Sequence, residues 1–197
     1  MVMRRIKSVI PGFEELHLPP AIERLTRLHR GLVLITGTTG SGKSTSLASI
    51  IDYINERRKC HIVTIEDPIE YTHRDKQGVV NQREINIDTT SFSSALRAVM
   101  RQDPDVILVG EMRDLDTFQA AISATETGHL VFTTLHTRDV ASTVTALRDL
   151  HIDNRSLAGN LTGIISQRLV RRLCSECRVQ QPTDQRAAEI FRGEGIE

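Results

Sequence analysis

Aromatic residues are scarce in this chain, which has no tryptophan, two tyrosines and five phenylalanines among 197 residues. Surfaces that stack nucleic-acid bases interleave rings with cations, and neither basic stretch of the sequence does so. Those stretches are residues 1–30, with six Arg/Lys against three Glu, and residues 148–178, with six Arg against three acids. The whole chain balances 25 basic against 25 acidic residues, so the remainder is acidic by six. A divided surface of this kind argues against a nucleic-acid-binding protein with one dominant basic face. No apolar run approaches the roughly 18 residues of a membrane span, and the basic start "MVMRRIKSVIP" has no apolar signal-peptide core behind it. Three cysteines, an odd number without a secretory signal, point to reduced thiols and a cytoplasmic setting. Cys174 and Cys177 have the spacing of half a zinc ribbon, but that formula needs a second pair and Cys60 stands far away, so ordinary thiols are expected. Internal repeats and low-complexity segments are absent too.

What the chain does have is length and apolar content for one domain with a sizeable core, at 39% hydrophobic residues. Apolar runs at "LVLI", "HIVTI", "DVILVG" and "HLVFTTLH" alternate with helical patterns, which predicts an α/β fold with a mainly parallel sheet flanked by helices. One helix places Phe92, Ala95, Leu96, Val99 and Met100 on a single face and ends before Pro104. A second runs from about Leu115 and stops at Gly128. Asp139 caps a third, with Val140, Val144 and Leu147 expected to face inward. The stretch "GVVNQREIN", β-prone and polar at alternate positions, reads as an edge hairpin. Beyond Cys177 the polar composition, with proline and glycine, suggests a loosely packed helical tail.

The stretch with the clearest chemistry is Gly37-Thr38-Thr39-Gly40-Ser41-Gly42-Lys43-Ser44, followed by Thr45. It satisfies the phosphate-loop formula G-x-x-x-x-G-K-[ST], between a short buried strand and a helix bearing Leu47, Ile50, Ile51 and Ile54 on one face. Glycines let several N–H groups turn inward, and the helix start adds its positive end, so a phosphate is the natural occupant. Lys43 is placed to reach the β/γ phosphates of ATP and the Ser44 hydroxyl to coordinate Mg²⁺. Glu111 follows a run of four apolar residues and Gly110, at the strand edge where ligands of open α/β sheets sit. It could orient or deprotonate a water, hold Mg²⁺ through a water, or be a solvated strand-end carboxylate. Glu66, Asp67 and Glu70 follow another strand and make sense beside a metal ion or its water shell, or as an acidic loop. His129 and His136 bracket a strand seven residues apart, so alternation sends them to opposite faces. His136, among Thr133, Thr134 and Thr137, suits a γ-phosphate sensor. His129 reads as structural and the remaining histidines as surface residues.

The segments "GTTGSGKST", "TIEDPIEY", "ALRAVMRQDPDVILVGEMRD" and "GHLVFTTLHT", in this order, resemble the secretion ATPases that power type IV pili and type II secretion, over about Ile10 to Cys177. The resemblance implies a RecA-like P-loop domain assembled as a homo-hexameric ring, with these segments as Walker A, Asp box, Walker B and His box. It implies ATP and Mg²⁺ as ligands, the loop residues 37–45 with Glu66 and Asp67 as the nucleotide site, and Glu111, Glu70 and His136 as catalytic residues. It further implies a motor peripheral to the inner membrane on its cytoplasmic side, working on a membrane platform protein. Residues 1–30 are then a linker or remnant of a preceding domain, 31–178 the ATPase domain and 179–197 a tail. "IPGFEELHLPP", "NQRE" and "GEMRDLDT" look like the retraction branch, whereas "SQRLVRRLCSEC" looks like the assembly and type II secretion branch, so motor direction stays open. Two other readings remain: a nucleotide-binding assembly module with little turnover, and a P-loop small-molecule kinase, for which no separate arginine-rich lid is evident.

Overall fold

The computed structural model describes residues 8–182 together with Ile6, Gln185, Arg186 and Glu189, so most of the expected tail beyond residue 182 lies outside the described residues. In chain order the elements are α1 (Ala21–Thr26), β1 (Gly31–Thr36), α2 (Lys43–Arg57), β2 (His61–Glu66), β3 (Val79–Glu84) and α3 (Phe92–Val99). Then follow β4 (Val106–Val109), α4 (Leu115–Glu126), β5 (Leu130–Leu135), α5 (Val140–Asp149), α6 (Asn154–Asn160) and β6 (Leu161–Ser166). The six strands form one sheet in the order β3-β2-β4-β5-β1-β6, and every neighbouring pair is parallel. An all-parallel sheet needs cover on both faces, so its central strands are apolar throughout. Every residue of β1, β4 and β5 is buried.

Alternation along the strands splits the interior into two cores. Leu32, Leu34, Val63, Ile65, Ile107, Val109 and Val131 face α3, α4 and α6, with Leu96, Phe118 and Ala121 packed onto them. Val33, Ile35, Ile62, Leu108, Leu130 and Phe132 face α2, whose Leu47, Ile50, Ile51 and Ile54 supply the opposite wall. Each of those α2 side chains contributes about 1.5–3 kcal/mol relative to exposure. That burial anchors the helix whose first residue is Lys43. The helix caps follow local chemistry. Ser91, Asp114 and Asp139 each accept a backbone N–H in the first turn of α3, α4 and α5. Gly128, at φ 101°, closes the turn after α4 in a conformation that side chains resist.

Two sequence expectations need correction, and one strand has no counterpart among them. The stretch around "VVNQRE" is an edge strand but not a hairpin: β3 runs parallel to β2, from His61 opposite Val79 to Glu66 opposite Glu84. Residues 67–78 carry the chain back past α2, where Asn55 pins them, and a strand that returns to the starting end is parallel. Val140 and Val144 of α5 point outward at 46% and 38% exposure, while Thr143 and Leu147 are fully buried. Thr143 is tolerated inside because its hydroxyl donates to Asp139 O at 2.7 Å and shares a 2.6 Å bond with Thr137. Finally, β6 was not foreseen, because Gly163 interrupts its apolar pattern. A Cβ at Gly163 would stand 3.2 Å from a methyl of Leu25 in α1, so the glycine lets that side chain pack closely on the strand.

Candidate functional site

The C-terminal ends of β1, β2, β4 and β5 open on one cleft of about 720 Å³. At its centre the chain leaves β1, passes through Gly37 to Ser41 and enters α2 at Lys43. Gly42 stands at the N-cap with φ 87°, a left-handed angle that glycine adopts without a Cβ clash. Since that glycine offers no capping side chain, the first amides of α2 are available to an anion, with the helix dipole behind them. The Lys43 ammonium donates to Gly37 O at 2.8 Å and Thr38 O at 3.2 Å. Burial pushes the Lys43 pKa down, and the negative charge of Glu111 opposes the shift. The Ser41 hydroxyl is buried without a hydrogen-bond partner. Thr39, Gly40, Gly42, Ser44 and Thr45 line the cleft; Gly37, Thr38 and Ser41 form the loop behind it.

The acidic wall follows β2. Thr64 donates to Glu66 Oε1 at 2.7 Å, and the Gln82 side-chain amide reaches the same oxygen at 3.0 Å. Burial raises the Glu66 pKa above the usual carboxylate range, against the pull of these bonds and of the Glu70 N–H, while the Glu70 charge raises it further. Asp67 and Glu70 line the cleft beside it. Tyr71 crosses to α2 and shares a 3.0 Å hydrogen bond with Thr45. This acidic loop is thereby tied to the phosphate loop's helix.

Glu111 leaves β4 through a clamped turn. The Gly110 N–H donates to Ile65 O at 2.8 Å, the Thr134 hydroxyl to Gly110 O at 2.7 Å, and the Met112 N–H to Thr134 O at 3.2 Å. The carboxylate pairs with Arg113 at 2.7 Å and lies 3.4 Å from His136 Nε2. Glu66, Asp67, Glu70, Glu111 and His136 therefore share one cleft with Lys43 and Ser44. His129 lies at the other end of β5, its Nδ1 2.8 Å from Ala124 O and 3.0 Å from the Thr127 hydroxyl.

Sequence reasoning missed several residues here. His73, expected at the surface, lines the cleft with Nδ1 buried and unpaired. His61, at the end of β2 away from the cleft, is half-buried rather than exposed, held by Asn81 and the Gln102 carbonyl. Gln82 also binds the Tyr71 carbonyl and the His73 N–H, at 2.9 and 2.8 Å, so one amide shapes the acidic wall. Tyr71 and Gln82 sit within stretches already singled out, but no spacing rule marks a hydroxyl or amide as a brace. Gln167 and Leu169 approach the loop from β6, which the sequence pattern did not reveal.

The chain matches the family described as "Type II/IV secretion system protein" over residues 11–197. It is 48% identical over 178 residues to the type IV pilus retraction ATPase PilT of Pseudomonas aeruginosa, covering 87% of this chain and 52% of that one. It is 49% identical over 176 residues to a twitching motility protein of Neisseria gonorrhoeae, covering 86% and 47% of the two chains. A crystal structure of the pilus retraction motor PilT with bound ADP superposes with a TM-score of 0.83 at 46% identity, over 97% of this chain and 59% of that one. The chain thus spans about half the length of the curated relatives it matches.

Proposed function

We infer, since this chain belongs to the type II/IV secretion system protein family, that it hydrolyses ATP to drive a pilus or secretion machine. The observation that carries this reading is the convergence of Lys43, Glu111 and His136 on one cleft, at the end of a loop built for phosphate. The fit is chemical as well as spatial. A Cβ at Gly40 would meet nothing within 4 Å, so the loop's outer face has room for a large anion. Lys43, now bonded to two loop carbonyls, has a cation to transfer to the β/γ phosphates. Among the described residues no three His, Cys, Asp or Glu side chains form a metal cluster. A Mg²⁺ here would share its coordination between Ser44 and phosphate oxygens, as this hard cation ordinarily does. When bound, it supplies charge neutralisation across those oxygens.

Glu111 is positioned to take the proton of a water as that water's oxygen bonds to the γ-phosphorus and the bond to the β-phosphate oxygen breaks. His136, 3.4 Å from that carboxylate, can donate to a γ-phosphate oxygen and so report its presence to α5 through Thr137. Glu70 completes the acidic wall. In this reading residues 31–178 form the ATPase unit, copies assemble into a hexameric ring, and the ring acts at the inner membrane on a platform protein. No helix among the described residues is long and apolar enough to cross a membrane.

The test is a pair of variants. Lys43→Ala should abolish ATP binding, whereas Glu111→Gln should keep affinity and lose turnover by about 10² or more, because it acts mainly in the transition state. Calorimetry and phosphate release distinguish them, and equal loss of affinity in both would overturn the assignment.

A further inference from the structure

We propose that Thr64 and Gln82, paired across β2 and β3, are positioning residues that fix the Glu66 carboxylate in the cleft and so help set the rate of ATP hydrolysis. This rests on the reading of the cleft as an ATPase site. The placement follows from strand geometry. Residues two apart on a strand share a face, so Thr64 and Glu66 of β2 stand side by side. The parallel register sets Gln82 of β3 directly opposite Thr64. Both donate to one atom, Glu66 Oε1, the Thr64 hydroxyl at 2.7 Å and the Gln82 amide at 3.0 Å. Thr64 is fully buried, and Ile62 on the same strand face packs into the core under α2. Packing alone would be served there by valine, since a buried hydroxyl costs free energy unless it is paired. The carboxylate two residues on supplies the reason for threonine.

Gln82 extends the same grip along the acidic loop. Its amide nitrogen also donates to Tyr71 O at 2.9 Å, and its oxygen accepts the His73 N–H at 2.8 Å. Glu84, two residues on and on the same face of β3, accepts the Ile69 N–H at 3.0 Å. One face of the edge strand thus holds the acidic wall, whereas the Thr64 hydroxyl serves Glu66 alone. Glu66 lines the cleft but neither Thr64 nor Gln82 does, so each acts through the carboxylate. Binding of the phosphates falls to Lys43 and the first amides of α2, which these two residues leave untouched. Loss of either donor frees the carboxylate to turn. A charged group held in place before the reaction stabilises the transition state without reorganising, so the cost falls on turnover and not on affinity.

Phosphate-release kinetics with Mg-ATP and urea unfolding of the unliganded chain test the clamp together. Thr64→Val, which keeps the shape and removes the hydroxyl, should lower kcat about tenfold and leave KM within about twofold. Thr64→Ser, which keeps the hydroxyl, should retain wild-type kcat. Gln82→Met should lower kcat at least as far as Thr64→Val. In a Glu66→Met background, adding Thr64→Val should cost no further turnover, because the group it positions is gone. The urea cycle reads the same coupling without nucleotide. Thr64→Val should destabilise the wild-type chain but leave Glu66→Met unchanged or more stable, since removing both partners leaves no buried hydroxyl unmet. Undiminished kcat in Thr64→Val, a further tenfold loss from it in Glu66→Met, or additive destabilisation in urea would overturn the clamp. A wild-type chain without ATP hydrolysis would instead sink the ATPase reading, while the urea cycle would still decide whether the three side chains act as a unit.

Discussion

His73 shows how burial sets the acid response of this site. Burial pushes its imidazole pKa down to about 4, Asp52 opposes the shift and Lys76 assists it. The unfolded chain protonates His73 near 6.5, so the folded state, which keeps it neutral, has this contribution in full above that value. The contribution is lost as pH falls from about 6.5 to about 4. Glu66 has the opposite sign: its raised pKa favours the neutral acid in the fold, and ionisation removes that advantage as pH rises. His73→Gln should therefore flatten the acid limb, with wild type losing about 2 kcal/mol more than the variant between pH 7 and pH 5. Urea unfolding at the two pH values measures it, and equal losses would show that His73 takes up its proton in the fold as readily as in water.

The segment between β2 and β3 depends on one side chain of α2. Asn55 is fully buried, donates to Arg74 O at 2.7 Å and accepts the Lys76 N–H at 3.2 Å, while its own carbonyl takes the N–H groups of Gln77 and Gly78. Asn55→Ala leaves the first two partners unmet and should destabilise the protein by about 1–3 kcal/mol in denaturant unfolding. A change within a few tenths would mean that water replaces the amide at no cost. Such braces were illegible in the sequence, whereas the elements that they brace were not. The placement of Lys43, Glu66, Glu111 and His136 could be read because each stands at a strand's C-terminal end or a helix's start, where local pattern fixes position. The partnership of Asn55 with a loop some twenty residues on, or of Gln167 with Ser41, is set by how the elements pack. The same limit hid β6, where Gly163 makes way for Leu25, and the inward face of α5, where a paired threonine takes the place of a valine.

Seen as a whole, the molecule has an open cleft with little positive charge on its far side. Of Arg83, Arg97, Arg101 and Arg113, the last lines the cleft among the described residues, and it is already paired with Glu111 at 2.7 Å. Phosphoryl transfer needs cationic stabilisation as charge spreads over the transferring group, and an arginine supplied from outside the site is worth about 10³ to 10⁵ in rate. While Arg113 stays on Glu111 it both withholds that cation and occupies the carboxylate that should receive the water's proton. A second copy presenting an arginine to the cleft would supply the missing cation, because a positive charge near the γ-phosphate completes the charge balance without drawing on the Glu111 pair. The chain on its own is therefore expected to bind Mg-ATP and turn it over slowly, with specific activity rising as protein concentration drives contact between copies. Phosphate release and light scattering measured across one dilution series test this. Activity should climb over the same range in which mass increases, and fast turnover by a strictly monomeric chain, independent of concentration, would sink the ring-motor reading and favour an enzyme complete within one subunit.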